Sequence, residues 1–285
     1  MSLRALTLAR RARWDSWRRR VQDDAAPDPA KFLLGERRAR PIGKRDLILR
    51  VCHQKDVLDL GCVEHSWRMS IDNPSWLHAA IRDVAASCVG VDFLADDVAE
   101  LNKRGFEMVY GDVLRDEPPG RFDVVVAGDL VEHLGNPSWF LDYVGRALRP
   151  DGIAVVTTPN ALYLDQFLTV LLRGRPDISP EHALLFDPFT FATLVSRSPL
   201  RLRALHWLEP SWSVLWNAKR PAATLGRTLH LVTYPVIAWR PYLNSDFAAV
   251  MELRKSTDEQ FSAGTSAAAV MEWLGCAPSS SIPTA

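Results

Sequence analysis

VLDLGC, at residues 57–62, is the stretch that decides the fold, because an apolar run that breaks at a glycine is typical of a buried parallel strand turning into a loop. Two further apolar runs, 88–91 and 106–110, are each followed within two residues by an aspartate. In an open α/β sheet the ligand binds beyond the carboxyl ends of the strands. The pattern therefore predicts one crevice lined by acids, which suits a nucleoside with free hydroxyls and no phosphate. The three acids are Asp59, Asp92 and Asp112.

Strands alternate with helices from about residue 42 onward. The fourth strand is expected at 122–127, ending at a Gly-Asp corner, and the fifth at 153–157, after a turn at 149–152. Between the first strand and the next helix lies an unusually long loop, 63–73. Such alternation predicts right-handed crossovers and a mainly parallel sheet.

Composition narrows the class of protein. The chain has 285 residues, of which 47% are hydrophobic, and its 34 basic residues balance 34 acidic ones. Zero net charge argues against a general nucleic-acid binder, which carries a basic excess. No apolar run approaches the ~18 residues of a membrane span, so a cytoplasmic protein is expected. Its four cysteines lack CxxC spacing, which favours reduced thiols in the core or the site.

The ends of the chain differ in composition from the middle. Residues 1–20 carry seven arginines, and 1–41 is expected to be a basic helix and linker. This helix is either solvated and loosely docked or attached to an anionic membrane surface. A stretch without acids, 210–245, holds three Trp and two Tyr and predicts either a helical hairpin on the core or a lid over a glycan or lipid-linked acceptor. The last residues, 259–285, are expected to form a tail.

Within 42–258, the expected domain, the chain resembles the class I S-adenosylmethionine-dependent methyltransferases. A later stretch, 180–198, is similar to a subgroup associated with polysaccharide and glycolipid biosynthesis. The resemblance implies a Rossmann-like α/β fold: a seven-stranded, mainly parallel sheet with an antiparallel last strand and helices on both faces. It is carried by five segments in the family's order and spacing: VLDLGC (57–62), VGVDF (89–93), GDV (111–113), FDVVVAGDLVEHL (122–134) and ALRPDGIAVVTTPN (147–160).

The resemblance also implies S-adenosylmethionine as the cofactor and a role for each crevice residue. Gly61 would let the backbone approach the methionine part, and Asp59 would orient that loop. Asp92 would accept the ribose hydroxyls, and Asp112 the adenine amino group. For each acid, the alternative is a capping or turn residue. The other cofactor positions implied are Cys62, Phe93, Val113, Gly128 and Asp129.

One departure from the family leaves two interpretations open. The usual loop reads DxGxGxG, and here Val63 and His65 replace its second and third glycines. Either the long loop takes a wider path, which the retained acids favour, or the cofactor site is lost and the chain is a non-catalytic scaffold. A nicotinamide-binding domain is disfavoured, because its G-x-G-x-x-G phosphate turn is absent.

Two histidines are the candidates for the general base of a methyl transfer to oxygen. His133 follows the fourth strand and His182 lies in the Pro-Glu-His loop, and histidine is the side chain best matched to neutral pH. His65 and His78 could also touch the ligand. No convincing set of metal ligands is present, so no metal is predicted. The expected reaction is O-methylation of a small or glycan-like acceptor.

Overall fold

The VLDLGC stretch forms the strand at the centre of a seven-stranded sheet. In the computed structural model, which describes residues 41–176, 178–209 and 233–254, the strand order is β3-β2-β1-β4-β5-β7-β6. The strands are β1 (Asp56–Leu60), β2 (Ser87–Asp92), β3 (Met108–Tyr110), β4 (Phe122–Gly128), β5 (Leu148–Pro159), β6 (Leu200–Trp207) and β7 (Asp246–Leu253).

The helices lie between these strands in the chain. They are α1 (Lys44–Cys52), α2 (Trp67–Asp72), α3 (Leu77–Val84), α4 (Ala95–Lys103), α5 (Pro137–Ala147), α6 (Leu164–Arg173) and α7 (Pro188–Ser196). Two short 3₁₀ turns, Val131–His133 and Pro241–Leu243, and a helical segment at 233–239 complete the described elements. None of these helices is both long enough and apolar enough to cross a bilayer.

The predicted sheet is confirmed. Neighbouring strands from β3 to β5 pair in parallel, and β7 alone runs antiparallel, to β5 on one side and to β6 on the other. Because β1, β2 and β4 are parallel neighbours, their carboxyl ends meet at one edge, which positions the crevice.

Helices cover both faces of the sheet, as predicted. Alternate residues of the buried strands point to opposite faces, so Leu58 and Val125 belong to the core under α5 and α7, whereas Val57 and Val124 belong to the core under α1 and α3. Each core therefore draws on the same strands, and the near-continuous apolar runs of the sequence follow from burial on both sides.

Two local predictions were wrong. The predicted loop at 63–73 contains α2, whose N-cap Ser66 accepts a hydrogen bond from the Met69 amide. The predicted turn at 149–152 lies inside β5, because Phe122 pairs with Leu148 while Val124 pairs with Ile153, so the extra residues of β5 form an irregularity within the pairing.

Parts of the predicted domain organisation lie outside the described residues. These parts are the basic segment before residue 41, the tail after residue 254 and residues 210–232 of the predicted insertion. The described remainder of that insertion holds the segment at 233–239.

Gly90 in β2 allows close packing beneath the crevice. A Cβ at this position would lie 2.6 Å from Met108 Sδ, 2.7 Å from Cys62 Sγ and 2.9 Å from His78 Cε1. We expect Gly90→Ala to lower the free energy of unfolding by about 1–3 kcal/mol, because three buried side chains must move. Urea unfolding measures the change. Gly135→Ala is the matched control, since a Cβ there meets nothing within 4 Å; equal effects of the two substitutions would contradict the packing argument.

Candidate functional site

A crevice of about 990 Å³ opens at the carboxyl edge of β1, β2 and β4. It brings together all nine residues that the sequence assigned to the cofactor, together with His133, whereas His182 is absent from its lining. The predicted residues that line it are Asp59, Gly61, Cys62, Asp92, Phe93, Asp112, Val113, Gly128, Asp129 and His133.

The loop after β1 has a left-handed backbone at two of the family's three glycine positions, although only the first of these positions is a glycine. Gly61 has φ +65°, and His65, at the third glycine position, has φ +54°. A left-handed conformation is costly for histidine, so the surrounding structure must impose it. The need for Gly61 is also explained within the protein, because a Cβ there would lie 2.8 Å from Leu130 Cδ1. Val63 and His65 line the crevice and leave it open.

Hydrogen bonds from the following segment hold this loop in place. The Trp76 indole N–H donates to the carbonyl oxygen of Cys62 at 2.7 Å, and both groups are buried. The Asn73 side-chain amide donates to Glu64 Oε2, also at 2.7 Å. These two side chains therefore fix the path of a loop in which two of the family's glycines are replaced.

Asp59 is buried and its carboxylate is paired with the imidazole of His78. Its Oδ2 lies 2.9 Å from His78 Nδ1, and both residues are less than 4% exposed. His78 Nε2 has no hydrogen-bond partner within the described part of the chain. Sequence analysis allowed His78 a contact with the ligand; His78 lines the crevice and also holds the carboxylate of Asp59, and the contact with the ligand stays a prediction.

Asp92 connects β2 to the loop after β1. The carboxylate accepts hydrogen bonds from the amides of Val63, at 2.9 Å, and Leu94, at 3.1 Å. Burial raises the pKa of Asp92, and the backbone amides offset part of this rise. Each oxygen keeps a second lone pair, so two hydroxyls of a ribose can still be accepted. Next to it, the Phe93 ring is 67% exposed and offers a flat apolar face in the crevice.

Asp112 has the turn role that the sequence left open, and its role toward adenine stays a prediction. Its Oδ1 accepts from the Leu114 amide at 2.9 Å, which is the turn role, and its Oδ2 lies 3.5 Å from Arg115 Nε. The same residue lines the crevice beside the buried Val113.

Asp129 follows the corner after β4 with φ +51°. It receives a hydrogen bond from the Thr157 hydroxyl at 2.7 Å and forms an ion pair with Lys44 of α1. Burial by itself would raise the pKa of this carboxyl, but Lys44, Thr157 and the nearby His133 outweigh it and lower the pKa. Lys44 also lines the crevice, and sequence analysis missed it, because one lysine at the start of a helix carries no pattern.

Glu132 is the most buried acid of the site. It is 1% exposed, its Oε2 accepts from the Thr158 hydroxyl at 2.9 Å, and its Oε1 has no partner among the described residues. Burial, with the charge of Asp129, raises its pKa to about 7. Its backbone carbonyl accepts from the amides of residues 183 and 184, which ties the Pro-Glu-His loop to the crevice.

His133 and His182, predicted from different segments, lie in contact. Their ring centroids are 4.9 Å apart with the rings perpendicular. His133 Nδ1 lies 3.1 Å from the Glu181 carbonyl oxygen, which can only accept, so Nδ1 carries the proton and Nε2 keeps a lone pair. Burial and the neighbouring His133 lower the pKa of His182. His182 therefore backs His133, which alone of the two reaches the crevice.

Among the described residues, two groups of three could offer metal ligands within 4.8 Å of one another: Asp59, Cys62 and His78, and Glu132, His133 and His182. In the first group Asp59 and His78 already hydrogen-bond each other, and burial raises the pKa of the Cys62 thiol well above its usual range. The absence of a metal stays a prediction for both groups.

Comparison with known proteins identifies the family. A family model described as "Methyltransferase domain" matches residues 15–207, about two thirds of the chain. The chain therefore belongs to this methyltransferase family, which confirms the predicted S-adenosylmethionine-dependent class and its cofactor and leaves the polysaccharide and glycolipid subgroup a prediction.

Individual relatives are distant and only partly covered. A Mycolicibacterium smegmatis protein, named a probable S-adenosylmethionine-dependent methyltransferase, is 31% identical over 39% of this chain and 40% of its own length. A mitochondrial ubiquinone biosynthesis O-methyltransferase from Schizosaccharomyces pombe is 26% identical over 54% of this chain and 55% of its own. The chain thus spans about half the length of these curated relatives. A crystal structure of an S-adenosylmethionine-dependent methyltransferase from Archaeoglobus fulgidus aligns with a TM-score of 0.46 and 19% identity, over 77% of this chain and 98% of that one.

The raised pKa of Glu132 predicts a pH-dependent stability. The folded protein holds this proton more tightly than the unfolded chain, so unfolding releases it between pH 4.5 and about 7, and stability falls as the pH rises through that window. We expect Glu132→Gln to gain stability relative to the wild type between pH ~5 and ~8, measured by thermal unfolding. The exposed Glu107→Gln is the control, and parallel curves for wild type and Glu132→Gln would argue against the assignment.

The contact between the histidines predicts coupled titration. His133→Asn removes the imidazole whose electrostatic interaction lowers the pKa of His182, so the pKa of His182 should rise, although burial will keep it below its usual range. Nitrogen-15 NMR titration of the imidazoles measures this shift. His53→Asn, at the end of α1, should leave His182 unchanged; an unmoved His182 pKa in His133→Asn would show that the two rings do not interact in solution.

Proposed function

We propose that this protein transfers a methyl group from S-adenosylmethionine to a hydroxyl oxygen of its acceptor. The observation that carries the proposal is the crevice, in which the acids at the ends of β1 and β2, the acid after β3 and the Gly-Asp corner of β4 line one cavity. Family membership supports methyl transfer, and the relatives named O-methyltransferases support oxygen as the acceptor atom.

The residues present fit the cofactor. A crevice of about 990 Å³ suits a nucleoside joined to an amino acid, at the upper end of the ~300–1,000 Å³ usual for small-molecule sites. Asp92 would hold the ribose, Phe93 would cover the adenine and Lys44 would meet the methionine carboxylate. The carboxylates of Asp59 and Asp129 in the crevice lining suit a sulfonium cation. The absence of a phosphate-binding glycine turn suits a ligand without phosphate.

The chain supplies position and a proton acceptor. When bound, the cofactor provides an activated methyl group, and the transfer is an in-line displacement that needs alignment of the reactants and exclusion of water. His133 faces the crevice with Nε2 free to accept the acceptor's proton. The Glu181 carbonyl fixes its tautomer, and burial lowers the pKa of the adjacent His182, which limits competition for the proton.

The acceptor is proposed to be small, glycan-like or carried on a lipid. Met69, 53% exposed, and Leu134 line the crevice near His133 and give its mouth an apolar rim. This rim suits an acceptor with an apolar part. The subgroup resemblance of residues 180–198 favours a glycan or glycolipid.

A non-catalytic scaffold on the same fold is the alternative. The replacement of two loop glycines favours it, and the left-handed backbone at His65 with an open crevice favours the enzyme.

Isothermal titration calorimetry with S-adenosylhomocysteine tests the proposal. We expect the wild type to bind and Asp92→Asn to bind at least ~10-fold more weakly, because hydrogen bonds to a charged acceptor contribute ~1.5–3 kcal/mol each. Asp142→Asn, an exposed acid on α5, is the matched control and should bind like the wild type.

The outcomes separate the two functions. No binding by the folded wild type would support the scaffold. Binding that Asp92→Asn leaves unchanged would retain the enzyme but refute the ribose assignment. Thermal unfolding of each variant checks that weaker binding does not come from a lost fold.

A further inference from the structure

α6 turns its apolar side away from the protein. None of its residues is buried, and its partly covered residues are Leu164 at its start and the polar Asp165, Gln166 and Thr169. A helix packed on a core shows the opposite arrangement. The exposed apolar side chains on it and just before it are Leu162, 53% exposed, Phe167, 64%, Leu168, 37%, Val170, 44%, Leu171, 68%, and Leu172, 80%.

A second exposed apolar segment leaves the same edge of the sheet. In residues 233–239, Val236 is 38% exposed and Trp239 is 68% exposed, with the Arg240 guanidinium 3.6 Å from the centre of the Trp239 ring. Asn160, just after β5, donates to the carbonyls of Tyr242, at 2.9 Å, and Asn244, at 2.8 Å. Both segments therefore start from the carboxyl edge of β5, the edge of the sheet at which the crevice opens.

Charge distinguishes between the possible partners of these segments. Arg175 and Arg240 are exposed beside the apolar side chains, while Asp165 is the only acid in 161–176 and 233–244 and is partly covered. A second copy of the chain would bring the same cations to the contact and no acid to neutralise them. An anionic lipid surface supplies both the negative charge and the apolar layer.

We propose that α6 and residues 233–240, named here the docking edge, bind an anionic lipid surface, with their apolar side chains in the boundary between headgroups and acyl chains. Ten residues of helix span ~15 Å, half of the ~30 Å hydrocarbon core, so the helix lies on the bilayer and does not cross it. Trp239 with its stacked Arg240 has the apolar body and charged tip that suit this boundary. The crevice then opens toward molecules held in the lipid.

Vesicle flotation of the full chain tests the proposal and needs neither cofactor nor acceptor. Vesicles of equal phosphatidylglycerol and phosphatidylcholine should carry the wild type upward, and vesicles of phosphatidylcholine alone should carry at least ~10-fold less. The double substitution Leu171→Ser and Leu172→Ser should weaken binding to the anionic vesicles at least ~10-fold, because it removes the two most exposed leucines of α6.

A pair of tryptophans provides the matched control. Trp239→Ser should weaken binding, whereas Trp139→Ser, which alters a 57% exposed side chain on α5 outside the docking edge, should bind like the wild type. All four residues are exposed, so thermal unfolding should be nearly unchanged.

Three outcomes would overturn the proposal. One is a wild type that floats with neither vesicle. Another is a double variant that floats like the wild type, which would assign the lipid contact to other residues such as the arginines of 1–20. The third is a wild-type dimer in light scattering that the double variant converts to monomer without any flotation, which would make the docking edge an interface between copies.

Discussion

The crevice depends on one partly buried hydrogen bond, in which the amide of Val63 donates to the carboxylate of Asp92. It joins the end of β2 to the loop after β1, and it gives a buried acid the partner without which its charge would be unfavourable. The second bond to that carboxylate, from Leu94, fixes the turn into α4. One side chain thus positions the loop and the turn and also lines the crevice, and this is why the loop keeps its shape with only one of three glycines.

The acids and the histidine in and around the crevice have pKa values shifted in different directions. At the centre of the crevice, Lys44 keeps Asp129 ionised, which suits the recognition of a cationic sulfur. Outside the crevice lining, burial raises the pKa of Glu132 to about 7 and that of Asp246, the first residue of β7, to about 6. Burial also lowers the pKa of His182 beside His133. Acids of the same chemical type thus differ in pKa because of their burial and their partners.

Strong local patterns were predictable and weak ones were not. Buried strands give long apolar runs that end at a glycine or an aspartate, so β1, β2 and β4 and their acids were found from the sequence. α2 was missed because its short WRMSID segment has too few apolar positions to show a helical period. The irregularity inside β5 was read as a turn, because proline and glycine at 150 and 152 have the same pattern in both structures.

The amino-acid sequence by itself determined the order of the strands and the candidate residues that line the crevice, with the two histidines, since each depends on residues adjacent in the chain or on the family's spacing. Only the tertiary structure decided which partners those residues meet. Lys44 reaches Asp129 across 85 positions, His78 reaches Asp59 across 19, and His133 meets His182 through a loop held by Glu132. The sequence likewise did not predict that the apolar side of α6 faces outward. An amphipathic period shows that a helix has two sides but not which side faces the protein.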